Sequence, residues 1–269
     1  MPVDQANEAA RPWTRGSSFL LFALAVLAPA SAYFASLNGS ARWAWLAAMF
    51  FIASVMVFVG TRTTGEFFGV LIDDRNVMSL SRFQMVAWTL VVLSGFLTAG
   101  MWNLSIGYVE PLSISLPSEL WMLMGISTAS LVASPLLLNS KKTIDASDSE
   151  AKRTFTLLQQ AGDTLGAVGT NGALVVNREA SSARFSDMLT GEETGNAAHA
   201  DLARIQMFFF TLIVLSTYAL ALWQMFGALD DQGVEAFPVL DESVLALIGI
   251  SHAGYLAAKA TPHSKPADQ

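Results

Sequence analysis

Six stretches of the chain are apolar for long enough to cross a bilayer: 18–36, 43–60, 83–102, 120–138, 205–226 and 243–258. A bilayer core of about 30 Å needs about 20 such residues in a helix. No Asp, Glu, Lys or Arg interrupts any of them, although Lys259 ends the last, where its stem is expected to snorkel to the interface. The pattern predicts an all-α, polytopic transmembrane helical bundle of about six spans. Trp43, Trp45, Trp102, Trp121 and Trp223 fall near span ends, where amphipathic rings favour the headgroup layer.

The first span carries a second pattern. Arg11 and Arg15, the apolar run 19–27 and the small residues Ala28, Ala30 and Ala32 also fit a cleaved signal peptide, which would leave five spans. The apolar run continues through Tyr33 and Phe34, which favours a full span.

Polar positions inside the apolar pattern recur. Segments 80–94 and 202–216 are identical at nine of fifteen positions, including the pairs Arg82/Arg204, Gln84/Gln206, Thr89/Thr211 and Ser94/Ser216. Apolar composition alone would not keep Arg, Gln, Thr and Ser in step. Segments 123–129 and 247–253 match in the same order, and an acidic pair with an Asn precedes each copy: Asp73, Asp74 and Asn76, then Glu192, Glu193 and Asn196. The expected architecture is a parallel internal repeat of two-helix hairpins. It comprises an N-terminal helix pair (1–62), a first repeat (63–138), a cytoplasmic linker segment (139–184), a second repeat (185–260) and a tail (261–269). Gly125, Ala129 and Ala133, with Gly249, Ala253 and Ala257, repeat every four residues and are expected to be helix-packing faces, because small residues let helix backbones approach in lipid.

Charge sets the orientation. With the N-terminus inside, 14 of the 15 Lys and Arg fall in cytoplasmic segments and only Arg42 falls outside. The positive-inside rule then places this multi-pass protein in a cell membrane with its long loop and both termini cytoplasmic. The outer loops hold Glu110, Glu119, Asp230, Asp231, Glu235, Asp241 and Glu242, so most of the net charge of −7 faces that side. Within the polar stretch 139–203, Ser147 and Glu150 predict a capping box that opens a short helix ending near Ala161. Residues 174–176 predict a strand, and 182–189 a second short helix.

Composition narrows the chemistry. At 53% hydrophobic and 14% charged, with no cysteine, the chain excludes disulfides and thiolate metal sites, and no basic stripe points to nucleic acid. No metal or cofactor motif occurs. Arg82, Gln84, Arg204 and Gln206 sit where outward spans leave the cytoplasm and are candidates for binding a partner, in register in both copies. His252 is the one ionisable side chain deep in a span; with Ser127, Ser251, Ser94 and Ser216 it forms the intramembrane polar candidates.

Ser127 on the fourth span and His252 on the sixth are similar to the serine and histidine of rhomboid proteases. Thr128 and Ala129 depart from that family's glycine, its His and Asn are missing from the second span, and the Ser127 stretch recurs at 249–251, which duplication already explains. No catalytic residue is assigned. At the level of whole stretches, Asp73, Asp74, Arg75 and Asn76 with Arg82 and Gln84, then 191–196, then 249–255 resemble uncharacterised multi-pass membrane proteins of bacteria, over roughly residues 65–260. That resemblance implies the architecture and brings no activity. The leading expectation is a non-enzymatic anchor or scaffold whose partners are the bilayer and a cytosolic protein or a second copy. A small channel or transporter around the repeat is the alternative, and an intramembrane serine protease is the least favoured.

Overall fold

A computed structural model describes residues 12–162, 166–229 and 232–265; Arg11, Asp230, Asp231 and the end of the tail lie outside them. Six helices are long and apolar enough to cross a membrane: α1 (Arg15–Leu37), α2 (Ala41–Thr64), α3 (Leu80–Ser105), α4 (Ser118–Lys141), α6 (Leu202–Gly227) and α7 (Glu242–Ala260). Their shortest member has 19 residues, or about 28 Å at 1.5 Å per residue. Side chains start several of them. Thr14 accepts from the Ser17 amide at α1, and Asp201 from the amides of Ala203 and Arg204 at α6.

Half of the most apolar stretch of α3 is buried, against 17–28% in the other spans, so α3 is the central helix. It packs against α1, α2, α4 and α6, while α7 packs against α4 and α6. Trp45 on α2 donates its indole N–H to Ser94 on α3 at 2.8 Å, satisfying two polar groups within the core of Trp88, Tyr218, Leu222 and Phe226.

The turn from α2 to α3 depends on glycine. A Cβ on Gly60 would lie 2.7 Å from the amide nitrogen of Val70 and 3.1 Å from that of Gly69. Both neighbours are backbone and cannot rotate aside. Gly60→Ala is expected to cost about 1–3 kcal/mol, the usual range for overpacking, read as a lower thermal midpoint in detergent by tryptophan fluorescence. An unchanged midpoint would mean that this crossing is loose.

At one end of the bundle the far-side loops pair with each other. Across the two loops the Ser115 N–H donates to the Glu235 carbonyl at 2.7 Å and the Ser115 carbonyl accepts from the Phe237 N–H at 2.9 Å, and Asn103 holds Val234 at both its N–H and C=O (2.7 and 3.0 Å). Arg42 is engaged there too, donating to the Trp223 carbonyl at 3.0 Å and lying 5.1 Å over the Trp223 ring.

At the other end, segment 142–201 folds into a cap. It contains α5 (Asp148–Gln160), the hairpin β1 (Val168–Asn171) and β2 (Leu174–Asn177), and two 3-10 turns, Ala180–Ser182 and Phe185–Met188. Two local expectations need correction. Ser147 precedes α5 without a side-chain cap, because its hydroxyl bonds that of Ser149 at 2.8 Å and Glu150 instead accepts from the Lys265 amide at 3.0 Å. The helix expected over 182–189 is a 3-10 turn, held from Arg184 N–H to the Asp187 carboxylate. The strand expected at 174–176 is present, with Leu174, Val175 and Val176 all buried. Among its described residues the cap thus carries secondary structure of its own. Residues 261–265 join it, Ser147 donating to the Lys265 carbonyl.

Candidate functional site: a buried charge network under the cap

The first turns of α3 and α6 and the last turns of α4 and α7 meet beneath the cap, and each brings charge or hydroxyl. Glu192 is the hub. Its carboxylate takes Arg75 at 2.7 Å, Arg204 at 2.6 Å and Lys259 at 3.0 Å, and is only 9% exposed. Arg75 also grips Asp73 through two nitrogens, at 2.8 and 3.1 Å, and Arg204 reaches Asp201 at 3.5 Å.

Beside it, Glu193 pairs with Lys141 at 2.5 Å and accepts the amides of His263 and Ser264 at 2.9 and 3.0 Å. Lys141 donates in addition to the Thr261 carbonyl at 2.9 Å. Lys142 and Asp74 close the outer edge at 2.7 Å. Five cations (Arg75, Lys141, Lys142, Arg204, Lys259) thus meet five carboxylates (Asp73, Asp74, Glu192, Glu193, Asp201).

Hydroxyls extend the network into the bundle. Tyr255 accepts from Lys259 at 2.8 Å and shares hydrogen bonds with Ser81 and Ser134 at 3.2 and 3.3 Å; Lys259 also meets Ser134. Below them Ser130 and His252 form a buried pair at 2.6 Å. Burial alone would raise the Glu192 carboxyl, but Arg204, Lys259 and Arg75 outweigh it and hold the acid well below its usual range. For Arg75, burial opposes the charge, and Glu192 and Asp73 overcome it, so the guanidinium is held more firmly than usual.

The structure separates the residues singled out from sequence. Arg204 is inside the network, whereas Arg82 is half-buried and reaches only the Val70 carbonyl at 3.5 Å. Gln84 is fully buried and donates to Thr211 at 2.5 Å, while its counterpart Gln206 is exposed on α6. Ser94 is buried, and Ser216 is exposed. Positions matched in sequence therefore occupy unlike environments. Neither Arg204 nor Gln84 is available to a partner.

Ser127 and Ser251 are buried with no hydrogen-bond partner, and His252 bonds Ser130, not Ser127. The serine–histidine pairing on which the rhomboid likeness rested is therefore absent. The small-residue faces also need correction. Gly125, Ala129, Ala253 and Ala257 are exposed, and Gly249 has only the Ile126 side chain near its Cβ position, at 3.8 Å. The α4–α7 seam instead runs through Ser127, Ser130 and Ser134 facing Ser251, His252 and Tyr255. Serine is nearly as small as alanine and can also hydrogen-bond across the helices. Lys259 does not snorkel outward, because a buried carboxylate lies within reach.

Sequence reasoning missed Glu192 as a hub, along with Arg75, Lys141 and Tyr255. A signal was present: an acidic pair placed just before a span, with a Lys closing each of two returning spans. Among the described residues no cluster of His, Asp and Glu would hold a metal ion. No protein-family model, curated protein or solved structure matches the chain.

Proposed function

We propose that this protein is a non-enzymatic membrane scaffold, whose six spans hold a rigid polar cap at the cytoplasmic face for a protein partner or a second copy. The supporting observation is the charge network itself. A slack loop needs no buried ion pairs, whereas five cations and five carboxylates fix the cap to four helix ends. Buried ion pairs are costly to desolvate and add little net stability; in this reading these are kept because they hold the cap in one arrangement against others. A surface fixed in that way suits recognition.

The cytoplasmic orientation rests on Lys and Arg, 14 of 15 of which fall in segments on the cap side. Two tandem copies of an ancestral hairpin account for the matched stretches. In this reading one copy kept its arginine for the network and the other for the rim.

On the outer surface of the cap, Lys152 and Arg153 project from α5 and Arg178 from the turn after β2, all exposed. Charge reversal of Lys152 and Arg153 to Glu should leave folding intact and remove a stoichiometric partner recovered from native membranes in mild detergent. If the partner survives this change and Arg178→Glu as well, the cap surface is not the docking face.

One observation favours the second reading, a channel. Gln84 Oε1, Thr98 Oγ1, Ser127 Oγ, Tyr218 OH and Ser251 Oγ are buried in the spans without partners, and water in a conducting path would satisfy them. Proteoliposome flux separates the two, since a scaffold is osmotically and electrically silent. Gln206 and Ser216, exposed on α6, drop out of any such path.

A further inference from the structure

An apolar groove of about 400 Å³ opens between α1, α2 and α3, away from the charge network. Ala25 and Pro29 line it from α1, Val55 from α2, and Leu93, Leu97 and Leu104 form its α3 wall. From Leu93 to Leu104 the α3 wall runs 11 residues, about 16 Å of helix, close to half of a hydrocarbon core of about 30 Å. The groove is therefore one leaflet deep, and it occupies the half of the membrane away from the cap. In a bilayer an open apolar groove of this depth fills with chain, not water.

Its outer end adjoins a polar pocket. Leu112, lying over Gly100, belongs both to the groove and to a polar pocket of about 440 Å³ formed with Tyr108, Glu110, Ser113 and Glu235. Tyr108 donates to one oxygen of Glu235 at 2.6 Å. Among the described residues, no hydrogen bond or ion pair engages the Glu110 carboxylate or the second oxygen of Glu235. Arg42, the one basic residue assigned to this side, is held at Trp223. A leaflet-deep apolar slot that ends in two uncompensated carboxylates at the membrane surface matches an amphiphile whose head ends in an ammonium group.

We propose that this groove binds one phospholipid of the ethanolamine class, an acyl chain lying along α3 and the ammonium beside Glu110 and Glu235. Charge complementarity selects the head: an anionic glycerol phospholipid would meet two carboxylates without a compensating cation. The proposal rests on the bilayer placement of the spans and not on the scaffold reading.

The test is native mass spectrometry of the full chain in micelles, titrated separately with phosphatidylethanolamine and phosphatidylglycerol. A single phosphatidylethanolamine adduct is expected, retained several-fold more strongly than phosphatidylglycerol. Ala25→Trp fills the groove from an exposed position and should abolish the adduct; Leu93→Trp, on the half-exposed opposite wall, provides a second filling variant. Glu110→Gln with Glu235→Gln should keep chain binding and erase the headgroup preference. An adduct that survives both tryptophan variants overturns the groove assignment. Equal retention of the two lipids by the unmodified protein overturns the headgroup assignment. A dimer that forms without lipid and is lost in Ala25→Trp would assign the groove to a second copy instead.

Discussion

Glu192→Ala is expected to lower the thermal midpoint of the detergent-solubilised protein by about 10 °C. Removing one partner of a buried ion pair typically costs about 3–5 kcal/mol, because the opposite charge is left desolvated and unpaired. Here three cations lose their shared carboxylate: Arg75, with Asp73 still beside it, Arg204, with Asp201 at 3.5 Å, and Lys259, which keeps only the hydroxyls of Tyr255 and Ser134. In a chain of this size each kcal/mol moves the midpoint by about 2–4 °C. Lys259→Met should recover part of the loss in the double variant, since the most poorly compensated cation is then gone. A midpoint shift under 2 °C for Glu192→Ala would show that the network is decorative.

The same residue sets a pH dependence. Its carboxyl is held well below the unfolded value near 4.5, so folding binds fewer protons there. The stability from Glu192 is fully present above about pH 4.5 and is lost as pH falls through the depressed folded value. The difference in midpoint between the native protein and Glu192→Gln should therefore be constant from pH 8 to 5 and shrink below 4.5. A difference that instead grows with acidification would mean the carboxyl is protonated in the fold.

The second large effect is expected at Glu193. Glu193→Ala leaves the buried Lys141 ammonium with the Thr261 carbonyl alone and removes the acceptor for the His263 and Ser264 amides. The cost should again be about 3–5 kcal/mol, but with a local signature. In hydrogen exchange the amides of residues 263–264 should lose protection in the variant, while the bonds between β1 and β2 keep theirs. If 263–264 exchange at the same rate in both proteins, the tail is held by something other than this carboxylate. Glu193 thus tests the attachment of the tail, and Glu192 the attachment of the cap.

The sequence by itself determined the membrane-spanning class, because the requirement is one of length and composition. About 20 residues without charge can only be helical in lipid, where each backbone polar group must be satisfied within its own segment. The six stretches were legible for that reason, each lying within a few residues of the ends of a helix long and apolar enough to cross a membrane. The strand at 174–176 was legible too, as a short apolar run bounded by Gly172 and Asn177.

Only the tertiary structure decided which polar residues matter. Arg82 and Arg204 read alike in sequence, yet only Arg204 faces the four-helix seam where Glu192 lies. Gln84 and Gln206 diverge in the same way, since α3 is enclosed by its neighbours to a greater extent than α6. Glu192 itself sits in a polar segment with no periodic signal. Its partners come from α7, α6 and the turn before α3, up to 117 positions away. Local pattern carries no information about which distant side chains converge, and a charge hub is a statement about convergence. The groove beside α1 follows the same logic: Ala25, Val55 and Leu93 are ordinary span residues until three helix packings leave a space among them.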